Sequence, residues 1–204
     1  MCGRYRCSIK IGDLIEEYNI NVNEWNIDVF SPKDQIYPTQ YSPILFNNEG
    51  NSIVKTMHWG LVPYWAKDKK YASKMINARS ETLLEKPSFK NLVNNNRCII
   101  VTNGYYEWKN EKNKKIPYLI HKNNNGFLAM GGLWDRWKSP NGEVIDSYTI
   151  ITKSSIDKLK SIHHRMPLIL DQHSTKSWLK KKDFIPDWIN LDTQELKATQ
   201  MTWD

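Results

Sequence analysis

The stretch that decides the fold is residues 98–120, CIIVTNGYYEWKNEKNKKIPYLI. Its first five residues are apolar or β-branched, and aromatic and apolar residues return at 105–109 and 116–120. The polar segment 110–115 between the last two runs is typical of a hairpin turn. This stretch therefore predicts three consecutive strands, the last two of which form a hairpin.

Further apolar runs lie on both sides of this stretch. They predict strands at 42–47, 52–58, 127–134, 145–152 and 166–170, with a turn at 48–51 joining the first two. Helical patterns are fewer, at 11–18, at 88–93 with Ser88 as the cap, at 156–162, and at 174–180 with Ser174 as the cap. We therefore expect the α+β class, as a single domain over 1–204 with a curved, largely antiparallel, barrel-like sheet flanked by short helices.

The composition is typical of a folded protein with an excess of basic residues. The 204 residues include 29 Lys+Arg against 22 Asp+Glu, so the formal net charge is +7, and aromatic residues make up 12%. No apolar run approaches the ~18 residues of a membrane span, and no signal peptide opens the chain, so we expect a soluble intracellular protein. The positive surplus favours a polyanionic partner, although solvated lysine runs such as 180–182 produce the same excess without one.

The three cysteines, Cys2, Cys7 and Cys98, are an odd number and lack metal-ligand spacing. In an intracellular chain we expect all three to be reduced, and we predict no structural zinc site.

Cys2 directly follows the initiator methionine, and a residue this small normally allows Met1 to be removed. Removal leaves an α-amine with a pKa of roughly 7.7–8.0 beside a thiol with a pKa of roughly 8.5, so both are expected to be partly nucleophilic at neutral pH. An amine condenses with an aldehyde to a Schiff base, and a neighbouring thiol then closes a thiazolidine ring. The alternative is that Cys2 is an incidental terminal residue.

Several polar residues stand out from their surroundings. Gly3 permits close approach of the backbone to a ligand, and Arg4 offers a cation suited to phosphate or carboxylate. Asn77, Glu107 and His163 lie in or beside apolar and aromatic segments. A carboxylate between Tyr and Trp is either a satisfied structural anion or one with a raised pKa, suited to general acid–base catalysis. Each of these three residues also has a purely structural interpretation.

In combination, these segments resemble the SOS response-associated peptidase (SRAP) family, the abasic-site processing proteins that crosslink to damaged single-stranded DNA. The motifs that carry the resemblance are, in chain order, MCGRY at 1–5, PTQ at 38–40, WGLVPYWAKD at 59–68, INARSET at 76–82, EKPSF at 85–89, RCII at 97–100, GYYEWK at 104–109, PY at 117–118, GLW at 132–134, TIIT at 149–152 and IHHRMPLIL at 162–170.

The resemblance implies that Cys2 forms a thiazolidine with the ring-opened sugar of an abasic site in single-stranded DNA, with strand-cleaving lyase chemistry as a side activity. Asn77 would hold the crosslink, Glu107 would transfer protons, and His163 would assist ring opening and strand cleavage. His163 is selected over His164 because the family's histidine stands two residues before the arginine.

The resemblance also implies DNA contacts, for which the candidates are Gly3, Arg4, Pro38, Trp59, Trp65, Arg79 and Arg165. Arginines suit phosphates, and Pro38 and the two tryptophans suit stacking on bases, although core packing is the alternative for each tryptophan. The family needs no metal or organic cofactor. The chain has no heptads or apolar surface stripe, so we expect a monomer. In a bacterial or phage setting it would be cytoplasmic and would associate with the nucleoid on damage.

The chain departs from the family pattern at 34–37, at Asn103 and at its early end, where we expect a rearranged or missing last strand. None of these departures touches the four reacting residues. Two other functions remain open: a thiol autopeptidase that uses Cys2 and His163, and a noncovalent module that binds single-stranded DNA.

Overall fold

A computed structural model describes residues 2–18, 32–180 and 196–202. The strands in these ranges are β1 (Tyr5–Cys7), β2 (Lys33–Ile36), β3 (Tyr41–Asn48), β4 (Asn51–Trp59), β5 (Asn77–Arg79), β6 (Arg97–Thr102), β7 (Gly104–Glu111), β8 (Lys114–Lys122), β9 (Leu128–Lys138), β10 (Val144–Ser154), β11 (Arg165–Pro167), β12 (Ile169–Leu170) and β13 (Leu196–Gln200). The helices are α1 (Ile11–Tyr18), α2 (Leu92–Asn95), α3 (Asp157–Lys160) and α4 (Gln172–Lys180), with 3₁₀ helices at Lys69–Lys74 and Ser80–Thr82.

Five strands form a closed barrel. β4 pairs antiparallel with β3, β3 with β6, β6 with β9, and β9 with β10. β10 returns to β4 in a parallel pairing that sets Tyr148 opposite Trp59 and closes the ring. β5, β11 and β12 attach to its outside, β5 and β11 along β10 and β12 along β9. β10 is buried from Ile145 to Lys153, as expected of a strand covered on both faces.

The other strands form an open antiparallel sheet in the order β13-β8-β7-β1-β2. Its centre is the predicted hairpin of β7 and β8, in which Glu111 faces Lys114. Lys112 and Asn113 between them both have positive φ, of 46° and 65°. Two left-handed residues in a two-residue loop match the twist of a hairpin, so the loop fixes the register of the two strands.

One apolar core joins the barrel to the open sheet. Tyr5 of β1 packs on Trp59 of β4, with ring centroids 5.1 Å apart, and its hydroxyl lies 2.7 Å from that of Tyr148 on β10. The Trp59 Nε1–H donates to the Ile76 carbonyl at 2.9 Å. All three rings are fully buried. These contacts hold β1, and with it the start of the chain, against β4 and β10 of the barrel. Through Trp59 they also place it beside Ile76, the residue before Asn77.

The α+β class and the mostly antiparallel, barrel-like sheet predicted from the sequence are confirmed. The helix at 11–18 and the hairpin of β3 and β4 are confirmed as well. Asn103, a departure from the family pattern, accepts the Ser8 N–H at 2.8 Å. The segment 34–37 also departs from the family pattern. Its residues 34–36 lie in β2, where Asp34 binds Arg6 and Ser8.

Four predicted elements differ from the structure. The helix expected at 88–93 is α2, which begins after a series of turns and ends when the Asn96 N–H bonds to the Leu92 carbonyl. The helix expected at 156–162 is reduced to α3. The strand expected at 166–170 is divided at Leu168, whose N–H and carbonyl bond to Ile151 and Gly131. Finally, Asp171 rather than Ser174 caps α4, because its Oδ1 accepts the Ser174 N–H at 2.7 Å.

A strand is present near the end of the chain, where an altered or missing one was expected. β13 pairs antiparallel with β8 over five residues, Leu196 to Gln200. Residues 203–204 lie outside the described ranges. Among the described residues, no helix has both the length and the apolar character that crossing a membrane requires.

Candidate active site

The open sheet brings the start of the chain to Glu107. β1 and β7 are antiparallel, with Tyr5 opposite Tyr105, and the Tyr106 N–H donates to the Arg4 carbonyl at 2.9 Å. Following β1 backwards and β7 forwards therefore leads to Cys2 and Glu107 at the same end of the pair. Gly104, at the start of β7, allows the close approach of β8 on the other side, since a Cβ there would lie 2.7 Å from the Ile120 carbonyl oxygen.

The barrel supplies Asn77, the first residue of β5, which is held opposite Ile150 of β10. Its Nδ2 donates to the main-chain carbonyl of Cys2 at 2.9 Å. Its Oδ1 is buried and has no hydrogen-bond partner within the part of the chain that the structure describes. A buried acceptor without a partner costs free energy. This oxygen is therefore suited to accept a hydrogen bond from a molecule bound at Cys2.

Cys2 is almost completely buried, at 1% exposure. Burial, and then the negative charge of Glu107, raise the pKa of its thiol well above the usual range. Burial therefore disfavours the partly ionised thiol that the sequence predicts. In the folded chain the sulfur is held as a neutral thiol, with the Arg4 carbonyl as a weak acceptor 4.0 Å away.

Glu107 is the carboxyl group of the site and is 4% exposed. Burial raises its pKa to about 7, so the group exchanges a proton close to neutral pH. Its Oε1 lies 3.9 Å from Nδ1 of His163. Of the two interpretations that the sequence leaves open for this carboxylate, the structure favours the raised pKa.

His163 lies in the turn after α3, and its side chain is 22% exposed. Its Nδ1 is 3.0 Å from the Arg165 nitrogen and 3.1 Å from the Arg165 carbonyl oxygen. Burial lowers its pKa, which favours the neutral ring. His164 is exposed and stacks on it, with ring centroids 4.5 Å apart. The structure thus places His163 against Glu107 and His164 towards solvent.

Arg4 lies between two aromatic rings. Its guanidinium carbon is 4.6 Å from the ring centroid of Tyr37 and 4.7 Å from that of Trp108. A cation between two rings is fixed in orientation, which suits it to meet an anion beside Cys2. Neither Tyr37 nor Trp108 stands out in the sequence, although strand alternation places Trp108 on the face of β7 opposite Glu107.

Four other predicted DNA contacts are accessible. Trp65 is 42% exposed, Arg79 is exposed, and Gly3 and Pro38 are half-buried. The loop that carries Trp65 is anchored to the barrel, because the Tyr64 N–H donates to Asp135 Oδ2 at 2.8 Å. A second anchor is the Trp137 Nε1–H, which donates to the Ala66 carbonyl at 2.7 Å.

Two residues predicted to contact DNA are buried, and for Trp59 the burial contradicts the prediction. Trp59 has no exposed surface and packs between Tyr5 and Tyr148, so no base can stack on it. Arg165 is 8% exposed, and its guanidinium binds both carboxylate oxygens of Glu81, at 2.5 and 2.9 Å. A phosphate would have to displace this ion pair. Both residues therefore support the fold around the site.

No cluster of three or more His, Cys, Asp or Glu that could hold a metal ion occurs among the described residues. All three cysteines are buried and free.

Comparisons with known proteins show the family to which this chain belongs. The family model of the SOS response associated peptidase (SRAP) matches residues 1–203. The chain is 37% identical over 208 residues to the abasic site processing protein YoqW of Bacillus subtilis (strain 168), with coverage of 98% of this chain and 90% of that protein. It is 31% identical over 220 residues to the abasic site processing protein HMCES of Xenopus tropicalis, with coverage of 88% and 66%.

The fold is shared with solved structures. A crystal structure of a protein from Bacteroides thetaiotaomicron matches with a TM-score of 0.88 at 27% identity, covering 98% of this chain and 92% of that one. A protein from Bordetella bronchiseptica matches with a TM-score of 0.80 at 22% identity, covering 99% of this chain and 100% of that one, which bears on the fold alone. The chain therefore belongs to the SOS response associated peptidase family.

Proposed function

We propose that this protein processes abasic sites in single-stranded DNA by capturing them covalently through Cys2, once Met1 has been removed. One observation carries the proposal: segments far apart in the sequence bring an amide, a carboxyl and an imidazole together at the start of the chain. Asn77 binds the main chain of Cys2, and Glu107 lies 3.9 Å from His163. The relatives that are named abasic site processing proteins support the same substrate.

The first step is opening of the sugar. An abasic site is mostly a closed hemiacetal, and opening it breaks the bond from C1′ to the ring oxygen, adds a proton to that oxygen and removes one from the C1′ hydroxyl. His163 is suited to this step because it is partly exposed, and Glu107 next to it can return the proton.

The second step joins the protein to DNA. The freed α-amine of Cys2 attacks C1′, and the carbinolamine loses water to give an imine. The departing hydroxyl needs a proton, and the amine must lose one. A carboxyl group with a pKa of about 7 performs both transfers at neutral pH, so Glu107 has the appropriate acidity.

The third step closes the ring. The thiol S–H of Cys2 adds across the imine, so that sulfur bonds to C1′ and the nitrogen gains a hydrogen. The net loss over all steps is one water. The buried Oδ1 of Asn77 would accept a hydrogen bond from the new N–H. Because burial keeps the sulfur protonated, the amine attacks first and the thiol follows.

Closure also decides between crosslink and cleavage. While the imine persists, loss of a proton from C2′ allows β-elimination, which breaks the strand 3′ to the lesion. Addition of the thiol removes the imine and stops this reaction. Lyase activity is therefore a side reaction, which a slower closure would increase.

Intact mass spectrometry after incubation with single-stranded abasic DNA tests the proposal. We expect wild-type protein without Met1 and a heat-stable adduct of protein plus DNA minus one water. Cys2→Ala and Cys2→Ser both retain the amine and lack the thiol, so both should give no heat-stable adduct and should give cleaved DNA in its place. Cys7→Ala is the matched control and should react like the wild type. Active protein that retains Met1, or a bond mapped to another residue, would contradict the proposal.

Two further measurements, peptide hydrolysis and DNA affinity, separate the alternatives. A thiol peptidase needs a thiolate, which burial of Cys2 disfavours. Hydrolysis of unrelated peptides that disappears in Cys2→Ala would support the peptidase. Equal affinity for abasic and intact strands, with no adduct, would support a noncovalent module.

A further inference from the structure

Arg165 is a buried cation whose guanidinium is held from two sides. It forms a bidentate ion pair with Glu81, and its Nη2 also donates to the carbonyl of Thr152 at 2.6 Å. Arg165 belongs to β11, and Glu81 belongs to the 3₁₀ helix that follows β5. Thr152 belongs to β10, which lies between β5 and β11. The side chain therefore ties three neighbouring elements together. Bidentate pairs of this kind also fix geometry.

The main chain of Arg165 contacts the imidazole of His163. Nδ1 lies within hydrogen-bond distance of both the N–H and the carbonyl of this one residue. When the neutral ring carries its proton on Nε2, Nδ1 accepts the Arg165 N–H. In the protonated ring, Nδ1–H donates to the Arg165 carbonyl. One residue thus provides a partner for each protonation state, as an acid–base catalyst requires.

We propose that Glu81 is a positioning residue for His163: its ion pair with Arg165 holds the main chain of Arg165 where it keeps the neutral imidazole in its Nε2–H form. This inference rests on the proposed function for its role in the reaction. Glu81 does not contact the reacting atoms and acts through Arg165.

Glu81 is well placed for this role, because only three residues separate it from Asn77 on the same short segment. Asn77 donates a hydrogen bond to the main chain of Cys2. Glu81 pairs with Arg165, whose main chain contacts His163. β10 lies between β5 and β11, with Arg79 and Pro167 both opposite Thr152. A single segment thereby sets the spacing between the nucleophile and the histidine.

The charged groups around His163 determine the sign of the expected change. Glu107 faces it from β7, His164 stacks on its ring, and Arg165 follows it in the chain. Burial, then the positive charge of the amino terminus and, to a smaller extent, that of Arg165 lower the pKa of His163. Without Glu81, the charge of Arg165 loses its counter-ion. The pKa of His163 should then fall further, and fewer rings would be protonated at a given pH.

The test is Glu81→Gln, with Glu85→Gln as the matched control, because Glu85 is an exposed carboxylate on the neighbouring segment. We expect the adduct at saturating DNA to form about tenfold to a hundredfold more slowly in Glu81→Gln, with its pH profile shifted to lower pH. The control should match the wild type. A profile that keeps the wild-type shape would overturn the inference, since a purely structural role lowers the rate equally at every pH.

The imidazole nitrogen chemical shifts of His163 give a second readout that needs no DNA. The wild type should show the Nε2–H form in its neutral state, and Glu81→Gln should show a mixture of both forms. An Nδ1–H form in the wild type would overturn the inference even if Glu81→Gln failed to fold. Absence of any wild-type adduct would contradict the proposed function and leave this measurement valid.

Discussion

The carboxyl group of Glu107 is buried, and this affects the free energy of unfolding as well as proton transfer. Burial raises its pKa from 4.5 to about 7 in the folded chain. Between these values the folded state holds a proton that the unfolded state has lost, so the contribution of Glu107 to stability falls as pH rises. Above the higher value, the folded state carries a buried anion. The cost is roughly 3 kcal/mol, at about 1.4 kcal/mol for each pKa unit.

We therefore expect Glu107→Gln to become more stable relative to the wild type as pH rises from about 4.5 to about 7, by roughly 3 kcal/mol in the free energy of unfolding. Urea unfolding at a series of pH values measures this difference. Glu85→Gln, which changes an exposed carboxylate, should show almost none. A difference that is flat with pH would mean that Glu107 has an ordinary pKa.

At the scale of elements, the loop between β4 and the Lys69–Lys74 helix is fixed to the barrel yet exposes Trp65 and Tyr64. Exposed aromatics on an anchored loop suit base stacking, which contributes about 1–3 kcal/mol per base. We expect Trp65→Ala to weaken binding of intact single-stranded DNA about fivefold to a hundredfold, with the adduct rate at saturating DNA unchanged. Fluorescence anisotropy measures the affinity, and Trp65→Phe should retain most of it. Unchanged affinity in Trp65→Ala would remove this loop from the DNA surface.

Strands and helices could be predicted from the sequence where burial alone determines the order of apolar and polar residues. Alternation and apolar runs located β6, β7, β8 and β10, since a strand between two packed layers must be apolar. Short helices were less predictable, because α2 and α3 each contain one turn and depend on their neighbours. Trp59 shows the same limit at the site: its motif fits a DNA contact, but only the docking of Tyr5 on its ring reveals that it is buried. The ion pair between Arg165 and Glu81 likewise depends on how β5 and β11 flank β10.

The molecule as a whole divides the proposed chemistry between its two sheets. The open sheet carries the chain terminus and Glu107, and the barrel and its attached strands carry Asn77 and His163. Neither sheet holds the site alone, so the shared core around Tyr5 and Tyr148 determines its geometry. Loss of this docking should abolish adduct formation even where each sheet remains folded.

The chain has a net charge of +7, which can attract DNA in two ways: through contacts of single residues with phosphates, or through the field of the whole molecule. Each phosphate that is neutralised in single-stranded DNA contributes about 0.7 to the slope of log affinity against log salt. Arg79 is exposed near the site, and we expect Arg79→Gln to reduce this slope by about 0.7. Arg136→Gln removes the same charge from a residue that is paired with Asp146, and should leave the slope almost unchanged. Equal effects of the two variants would mean that net charge, and not a contact at Arg79, attracts the strand.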